Sequence, residues 1–223
     1  MTLVSPDVIE LASRFGAVYT GAITDVLDRL GRRRQTLPPA IRPLRRGMRL
    51  AGPAYTVEGS PEADADYDAS IRATLEMLGA VPAGHVAVYQ KHGEGSAHLG
   101  ELSVTSLKTR GCAGAVIDGG CRDVDYILRE DYPVFCRRIT PQDCTHRWQV
   151  TGHGDVTIEI EGVTVAPGDW AVADDDGVVI VPAAVIVEAL EEAEAMVSTE
   201  NAIRDAVRAG MLPLEAYETY GTF

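Results

Sequence analysis

The period of the hydrophobic positions changes several times along the chain, and each change marks an element. Val8, Ile9, Leu11, Ala12 and Phe15 make a helical stripe after Ser5-Pro6-Asp7, which reads as a cap, a first-turn proline and an acid. Thr20–Leu30 predicts a second helix stopped by Gly31, and the proline- and arginine-rich run Leu37–Arg49 predicts irregular chain. Ala54–Glu58 predicts a strand, Asp66–Leu78 a helix ending at Gly79, and His85–Tyr89 an alternating strand. A glycine-containing loop, Gln90–Leu99, leads to a helix over Glu101–Arg110 closed by Gly111. Gly114–Ile117 follows as a short strand, Asp123–Glu130 as a helix and Val134–Cys136 as a strand.

From Trp148 the texture changes. Val156–Ile160, Val163–Val165, Trp170–Ala173 and Val178–Val181 predict short strands separated by turn residues, before a long helix, Ala183–Ala209, and a short one, Leu214–Tyr220. Alternating β and α elements in the middle, a β-rich unit after them and no linker or tandem repeat predict one α/β domain over residues 1–223.

Composition narrows the functional classes. The 223 residues, 46% hydrophobic and 24% charged, suffice for a substantial core. No apolar run approaches a membrane span, and Met1–Pro6 lacks a basic region followed by an apolar block, so neither a membrane partner nor a signal peptide is expected. Twenty basic against 33 acidic residues give a net charge of −13, which repels phosphate backbones and argues against direct nucleic-acid binding. Glu188–Glu194 carries much of that charge and reads as a solvated helix face. Cysteines 112, 121, 136 and 144 have no CxxC spacing, so they read as core thiols in a reducing, cytoplasmic setting rather than as a zinc knuckle.

The chemistry concentrates in Gly100-Glu101-Leu102 and in Gly114-Ala115-Val116-Ile117-Asp118-Gly119-Gly120-Cys121-Arg122-Asp123. This is a helix, a strand and a glycine-containing loop ending in Arg-Asp, and ligands of α/β sheets sit beyond strand carboxyl ends. Gly119-Gly120 admits a close backbone approach, Arg122 offers a planar fork of donors for a carboxylate or enolate, and Asp123 offers a hard oxygen for a divalent cation. The first turn of the 101–110 helix is an anion site. The same Arg-Asp pair also fits an ordinary surface pair capping the next helix.

Other motifs are weaker. Asp174-Asp175-Asp176-Gly177 fails as a calcium loop, because Val172 and Ala183 would occupy its first and last positions, and it reads as a hairpin turn. Gly93-Glu94-Gly95 meets His98 where a dinucleotide fingerprint needs glycine, and no GKS or GKT loop exists. His92, Glu94 and His98 precede Gly100 and are candidate substrate contacts, though loop histidines are more often solvated or structural. Of the two lysines, Lys91 and Lys108, only Lys91 is placed for a Schiff base, which favours a metal-dependent mechanism.

The run Gly-x-x-Gly-x-Val-x-Asp-Gly-x-x-Arg-Asp from Gly111 to Asp123, preceded by Gly-Glu-Leu at 100–102, resembles the signature of the RraA-like family. That family holds regulators of ribonuclease activity and class II 4-hydroxy-4-methyl-2-oxoglutarate/4-carboxy-4-hydroxy-2-oxoadipate aldolases. Thr24–Gly31, Leu50–Val57, Pro167-Gly168-Asp169, Asp174–Val178 and Val181-Pro182 are similar to its other segments, so the likeness runs from about Thr20 onward. The resemblance implies a layered α/β/α domain like the phosphohistidine swivelling domain, assembled as homotrimers or hexamers with sites between subunits. It implies Asp123 as the ligand of Mg²⁺ or Mn²⁺, Arg122 on the pyruvyl oxygen, and N–H groups around Gly100, Leu102 and Ser103 on the substrate carboxylate. Glu101 falls where the aldolases hold metal-bound water, and Glu200 matches, loosely, an acid supplied by a neighbouring subunit. The expected activity is cleavage of a 2-oxo acid to pyruvate by an aldolase or oxaloacetate decarboxylase; the alternative is a non-catalytic regulator of ribonuclease activity. The far end of the substrate is expected against Arg42–Gly47 and Gln90–Leu99.

Overall fold

The computed structural model describes residues 4–61, 66–90 and 95–223. Lys91, His92 and Glu94 lie outside the described residues. In chain order the elements begin with α1 (Pro6–Ala17), α2 (Thr20–Arg29), β1 (Arg42–Pro43), β2 (Leu50–Pro61), α3 (Tyr67–Ala80) and β3 (Val86–Tyr89). Next come β4 (Ala97–Leu99), α4 (Glu101–Thr109), β5 (Gly114–Cys121), α5 (Val124–Arg129), β6 (Val134–Ile139) and β7 (Trp148–His153). The remainder is β8 (Ile158–Ile160), β9 (Val163–Val165), β10 (Trp170–Asp174), β11 (Gly177–Val181), α6 (Ile186–Arg208) and α7 (Pro213–Tyr220).

The expected α/β class is found, with a mixed sheet ordered β1-β6-β5-β3-β2-β10-β11, β4 beside β5 and β7 beside β2. The pairs β2–β3, β3–β5 and β5–β6 are parallel, so α3, α4 and α5 serve as their crossovers. The β10–β11 hairpin and β7 pair antiparallel with their neighbours. The sheet is not an open layer. Residues 35–37 bond along β11, through Leu37 N–H to the Val178 carbonyl (2.9 Å) and Ile180 N–H to the Gln35 carbonyl (2.8 Å). The chain then runs into β1 at the other end, where Arg42 donates to the Asp175 and Asp176 carbonyls, so the sheet curls into a nearly closed barrel.

Strand alternation divides the core in three. One set of side chains points into the barrel: Leu50, Ala54, Val86, Val88, Val116, Phe135, Ala171, Ala173, Val178 and Ile180. Ile158, Ile160, Val163 and Val165 of the β8–β9 hairpin pack against these. Intervening residues such as Tyr55, Tyr89, Ile117 and Val134 point outward against Met77, Val104, Leu107 and Ile127 of α3, α4 and α5. Trp170, Val172, Val179 and Val181 meet Phe15, Ile23, Leu27 and Leu190 of α1, α2 and α6. Each large side chain so buried contributes roughly 1.5–3 kcal/mol of transfer free energy. Arg137 ties the β8–β9 hairpin down, donating to Asp118 of β5 and, at 2.6 Å, to Glu161 in the hairpin turn.

Several boundaries differ from expectation. The 54–58 strand runs over 50–61, β4 emerges inside the expected 90–99 loop, and β7 was not foreseen. The strand expected over 114–117 continues to Cys121, so Gly119-Gly120 is strand rather than loop. Gly120 is required there because a Cβ would stand 2.5 Å from the Ser96 carbonyl oxygen. The close approach at Gly120 is to the neighbouring backbone. The Asp174–Gly177 turn joins β10 to β11 as expected, with Asp174 accepting from Thr20 N–H (2.8 Å) and Oγ1 (2.7 Å). Part of the 188–194 acidic run is engaged: Glu194 takes a two-pronged bond from Arg14, and Glu192 pairs with Arg29. Cys112, Cys121 and Cys136 are buried, as expected of core thiols. No helix among the described residues is long and apolar enough to cross a membrane.

Candidate functional site

Three parallel strands, β4, β5 and β6, end side by side, and the residues just past them build one place. Leu99 ends β4 and Gly100 follows it, Arg122 and Asp123 follow β5, and Asp143 lies beyond β6. The Arg122 N–H donates to the Leu99 carbonyl at 2.9 Å, which fixes the ends of β4 and β5 together. Asp143 bridges to Ala97, with Ala97 N–H to the Gln142 carbonyl at 2.7 Å and Cys144 N–H to the Ala97 carbonyl at 3.2 Å.

Asp123 caps α5 in the left-handed region (φ 58°, ψ 34°). Such backbone costs on the order of 1 kcal/mol for a residue other than glycine, and aspartate is among those that tolerate it best. The conformation brings the carboxylate to the start of α4, where Oδ2 accepts from the Glu101 N–H at 3.1 Å. Gly100 makes room: a Cβ there would stand 2.6 Å from Asp123 Oδ2 and 3.2 Å from Arg122 Nε. Leu102 and Ser103, next in the first turn of α4, have N–H groups with no carbonyl four residues earlier in the helix to donate to.

Arg122 stands between two carboxylates, with Nε 3.6 Å from Asp123 Oδ2 and Nη1 3.6 Å from Asp143 Oδ2. Thr145 Oγ1 donates to Asp143 Oδ2 at 2.9 Å. Burial alone would raise the Asp143 carboxyl, but the Thr145 hydrogen bond and the Arg122 cation outweigh it and hold it below the usual carboxylate range.

These groups open into a cleft of about 860 Å³ between α3 and α4. It brings together Gly100, Glu101, Leu102, Ser103, Arg122 and Asp123, all singled out from the sequence. His98 also lines it but is 6% exposed, with its ring edge-on to Trp148 at 4.6 Å, which fits a structural histidine better than a mobile contact. Glu101 accepts from Thr105 Oγ1 at 3.5 Å. Glu200 is elsewhere: it sits on α6, outside its own chain's cleft, and accepts from the Tyr19 hydroxyl. Burial and that carboxylate push the Tyr19 phenol up to about 12.

The far wall is not the one expected. Arg42–Gly47 lies by the β10–β11 turn, where the Gly47 N–H donates to Asp175 Oδ1, and only Ala97–Leu99 of the 90–99 segment reaches the cleft among the described residues. The wall comes instead from Ser70 to Gly79 of α3 and from Cys144, Thr145 and Trp148. Sequence reasoning also passed over Asp143. Its signal was an acid shortly after a parallel strand, in Thr140-Pro141-Gln142-Asp143.

The donor set suits a hard divalent cation. Among the described residues no three His, Cys, Asp or Glu side chains are grouped to hold a metal, so a cation at Asp123 would draw on at most two such side chains of this chain and otherwise on solvent. Mg²⁺ accepts such a water-rich shell, whereas Zn²⁺ sites take three or four protein ligands. Gly100 leaves open the space beside Asp123 Oδ2 that a side chain would fill.

A Halalkalibacterium halodurans protein named "Putative 4-hydroxy-4-methyl-2-oxoglutarate aldolase" is 30% identical over 94% of both chains. Legionella pneumophila protein DlpA is 31% identical over 89% of this chain, which spans only 32% of DlpA's length. The crystal structure of Streptomyces coelicolor RraAS2, described as an unusual member of the RNase ES inhibitor RraA protein family, superposes with a TM-score of 0.80 at 31% identity. That match covers 87% of this chain and 96% of RraAS2. The sequence profile of the RraA-like family (Aldolase/RraA) matches residues 20–180, and the chain belongs to that family.

Proposed function

We propose that this protein is a divalent-metal-dependent carbon–carbon lyase that cleaves a 2-oxo acid to release pyruvate, as a class II aldolase, an oxaloacetate decarboxylase or both. The observation that carries the reading is the meeting of Arg122, Asp123 and the first turn of α4 at Gly100, in one open cleft. A cation, a hard anionic ligand and free helix N–H groups side by side match a carboxylate next to a carbonyl.

The chain's own residues then divide the work. The Leu102 and Ser103 N–H groups hold the substrate C1 carboxylate at the positive end of α4. Arg122 donates to the C2 oxygen and stabilises the negative charge that gathers there when the C3–C4 bond breaks. Asp123 would hold Mg²⁺ or Mn²⁺, which supplies further Lewis-acid stabilisation of that charge. Cleaving an aldol also requires a group to take the C4 hydroxyl proton. Glu101 lines the cleft for this role, and Glu200 of a neighbouring subunit is the second candidate.

The reading extends to a cytoplasmic homotrimer or hexamer with sites between subunits. Exposed apolar side chains on the cleft wall, Leu75 at 60% and Leu102 at 79%, support a neighbour there. The likeness to the phosphohistidine swivelling domain belongs to the same reading: two groups of helices, α3 to α5 and α1, α2 and α6, pack on the outward face of the curled sheet. A second reading, a non-catalytic ribonuclease regulator, draws on the RraAS2 likeness and on the −13 charge, which suits a basic partner protein.

The test is pyruvate release from oxaloacetate and 4-hydroxy-4-methyl-2-oxoglutarate with Mg²⁺ and with EDTA, beside Asp123→Ala. Metal-dependent release that vanishes in the variant is expected. No release from either compound by a folded oligomer supplied with Mg²⁺ or Mn²⁺ would overturn the lyase reading for these substrates and leave the regulator.

A further inference from the structure

The Arg122 side chain is long and 38% exposed, so charged neighbours have a part in fixing where its donors point. That charge stands on two sides. Asp123 Oδ2 is shared, because it also accepts from the Glu101 N–H and belongs to the carboxylate offered to the cation. Asp143 faces the opposite edge of the guanidinium through Nη1. It is itself held, by Thr145 Oγ1 on the side chain and by two backbone hydrogen bonds to Ala97 on either side of it.

We propose that Asp143 is a positioning residue that keeps the Arg122 guanidinium aimed at the C2 oxygen of the substrate. This rests on the lyase reading above and deepens it. When a cation draws on the Asp123 carboxylate, Asp143 is, among the described residues, the remaining anion paired with Arg122 and sets the fork's orientation. Its backbone anchor is the strand that leads directly into Gly100, so Arg122 and the carboxylate-binding turn of α4 are referenced to one frame. The alternative role for a cleft carboxylate is to be the base. Asp143 is poorly suited to that, because Thr145 and Arg122 stabilise its anion and weaken it as a proton acceptor.

Asp143→Asn tests the role, since it keeps shape and removes charge. Both aldol cleavage and oxaloacetate decarboxylation need Arg122 at the enolate oxygen, and only aldol cleavage needs a base. The expected result is a fall in kcat/KM of roughly 10–100-fold, equal for the two substrates, as for other partners that orient a site group. Mg²⁺ affinity measured by calorimetry with the metal alone, and the melting temperature, stay at wild-type values. In Arg122→Lys, adding Asp143→Asn costs little more, because the group it positions has already gone. Selective loss of aldol cleavage would overturn the proposal in favour of a base, loss of Mg²⁺ binding in favour of a metal ligand, and unchanged kinetics outright. The underlying reading fails separately. If Arg122→Lys retains wild-type activity, or the wild type releases no pyruvate, both fall; if Arg122→Lys is impaired and Asp143→Asn is not, only the role of Asp143 falls.

Discussion

Replacing Gly100 by alanine adds one carbon at the most crowded point of the cleft. The new Cβ would stand 2.6 Å from Asp123 Oδ2, and ordinary contact begins near 3.4 Å, so the carboxylate has to retreat by about 0.8 Å. Arg122 is caught in the same displacement, with Nε at 3.2 Å and Cγ at 3.3 Å from the added atom. The backbone itself tolerates the change, since Gly100 is extended (φ −133°, ψ −171°). The folding cost is therefore the loss of a tolerable N-cap, up to about 1 kcal/mol, or roughly 2–4 °C in melting temperature for a chain of this size. Catalysis is far more sensitive: a displacement near 1 Å in a positioned site costs on the order of 100-fold. Gly100→Ala is thus expected to melt close to wild type, to lose about two orders of magnitude in kcat/KM for pyruvate release, and to bind Mg²⁺ more weakly. Steady-state assays, calorimetric metal titration and a thermal scan read all three. Unchanged turnover and metal affinity would mean that the Gly100–Asp123 contact does not govern the site, and the reasoning from it would be wrong.

Three further outcomes follow from other parts of the molecule. Glu101→Gln is expected to impair cleavage of 4-hydroxy-4-methyl-2-oxoglutarate by roughly 100-fold while sparing oxaloacetate decarboxylation, which needs no base; equal loss of the two would count against Glu101 as the proton acceptor. Arg137→Ala removes the charged donor of the buried Asp118 carboxylate, whose side chain is 9% exposed, and should cost up to about 3 kcal/mol, little of it from the exposed Glu161. Scanning calorimetry should then show melting up to about 10 °C lower, and a shift under about 2 °C would refute the latch. Burial raises the Cys112 and Cys136 thiols to about 11. Their contribution to stability is whole below the unfolded value near 8.5 and is lost as pH rises through about 11, by up to roughly 1.4 kcal/mol per unit for each thiol. Urea denaturation across that range should show the decline, and Cys112→Ala should flatten it; an unchanged slope in that variant would dismiss the thiol as its source.

The sequence carries the elements better than their ends or their assembly. Period and caps locate α1 to α7 because each helix buries a stripe, and α2 and α4 are followed by left-handed glycines, Gly31 and Gly111, whereas α3 runs through the expected stop at Gly79 to Ala80. β7 escaped because only Trp148 in it is fully buried, so it carries no clean alternation. β5 was cut short at Ile117 because Asp118-Gly119-Gly120 reads as a turn locally, whereas Asp118 is paired with Arg137 across the sheet and Gly120 is squeezed by Ser96. Closure of the sheet depends on contacts between residues 35–42 and 175–180, far apart in the chain, and no local pattern announces them. The site shows the same division. Gly100 to Ser103, Arg122 and Asp123 lie in two short contiguous motifs and were legible. Asp143 and the α3 wall enter the cleft only through tertiary packing.

That division bears on how one fold supports two kinds of protein. Gly100, Arg122 and Asp123 are bound to one another by sterics and by backbone hydrogen bonds, so they would persist in any chain that keeps this strand-end geometry, catalytic or not. Their presence alone argues for the scaffold. A group that the fold does not need is more telling. Among the described residues, the Glu101 side-chain oxygens accept only from the Thr105 hydroxyl at 3.5 Å, a contact too long to stabilise the helix much. Asp143, by contrast, is held in its charged form by Thr145 and Arg122, which outweigh its desolvation, so the scaffold itself accounts for that charge. Glu101, in the cleft proposed to take a 2-oxo acid, is therefore where catalytic and non-catalytic members of the family should be told apart.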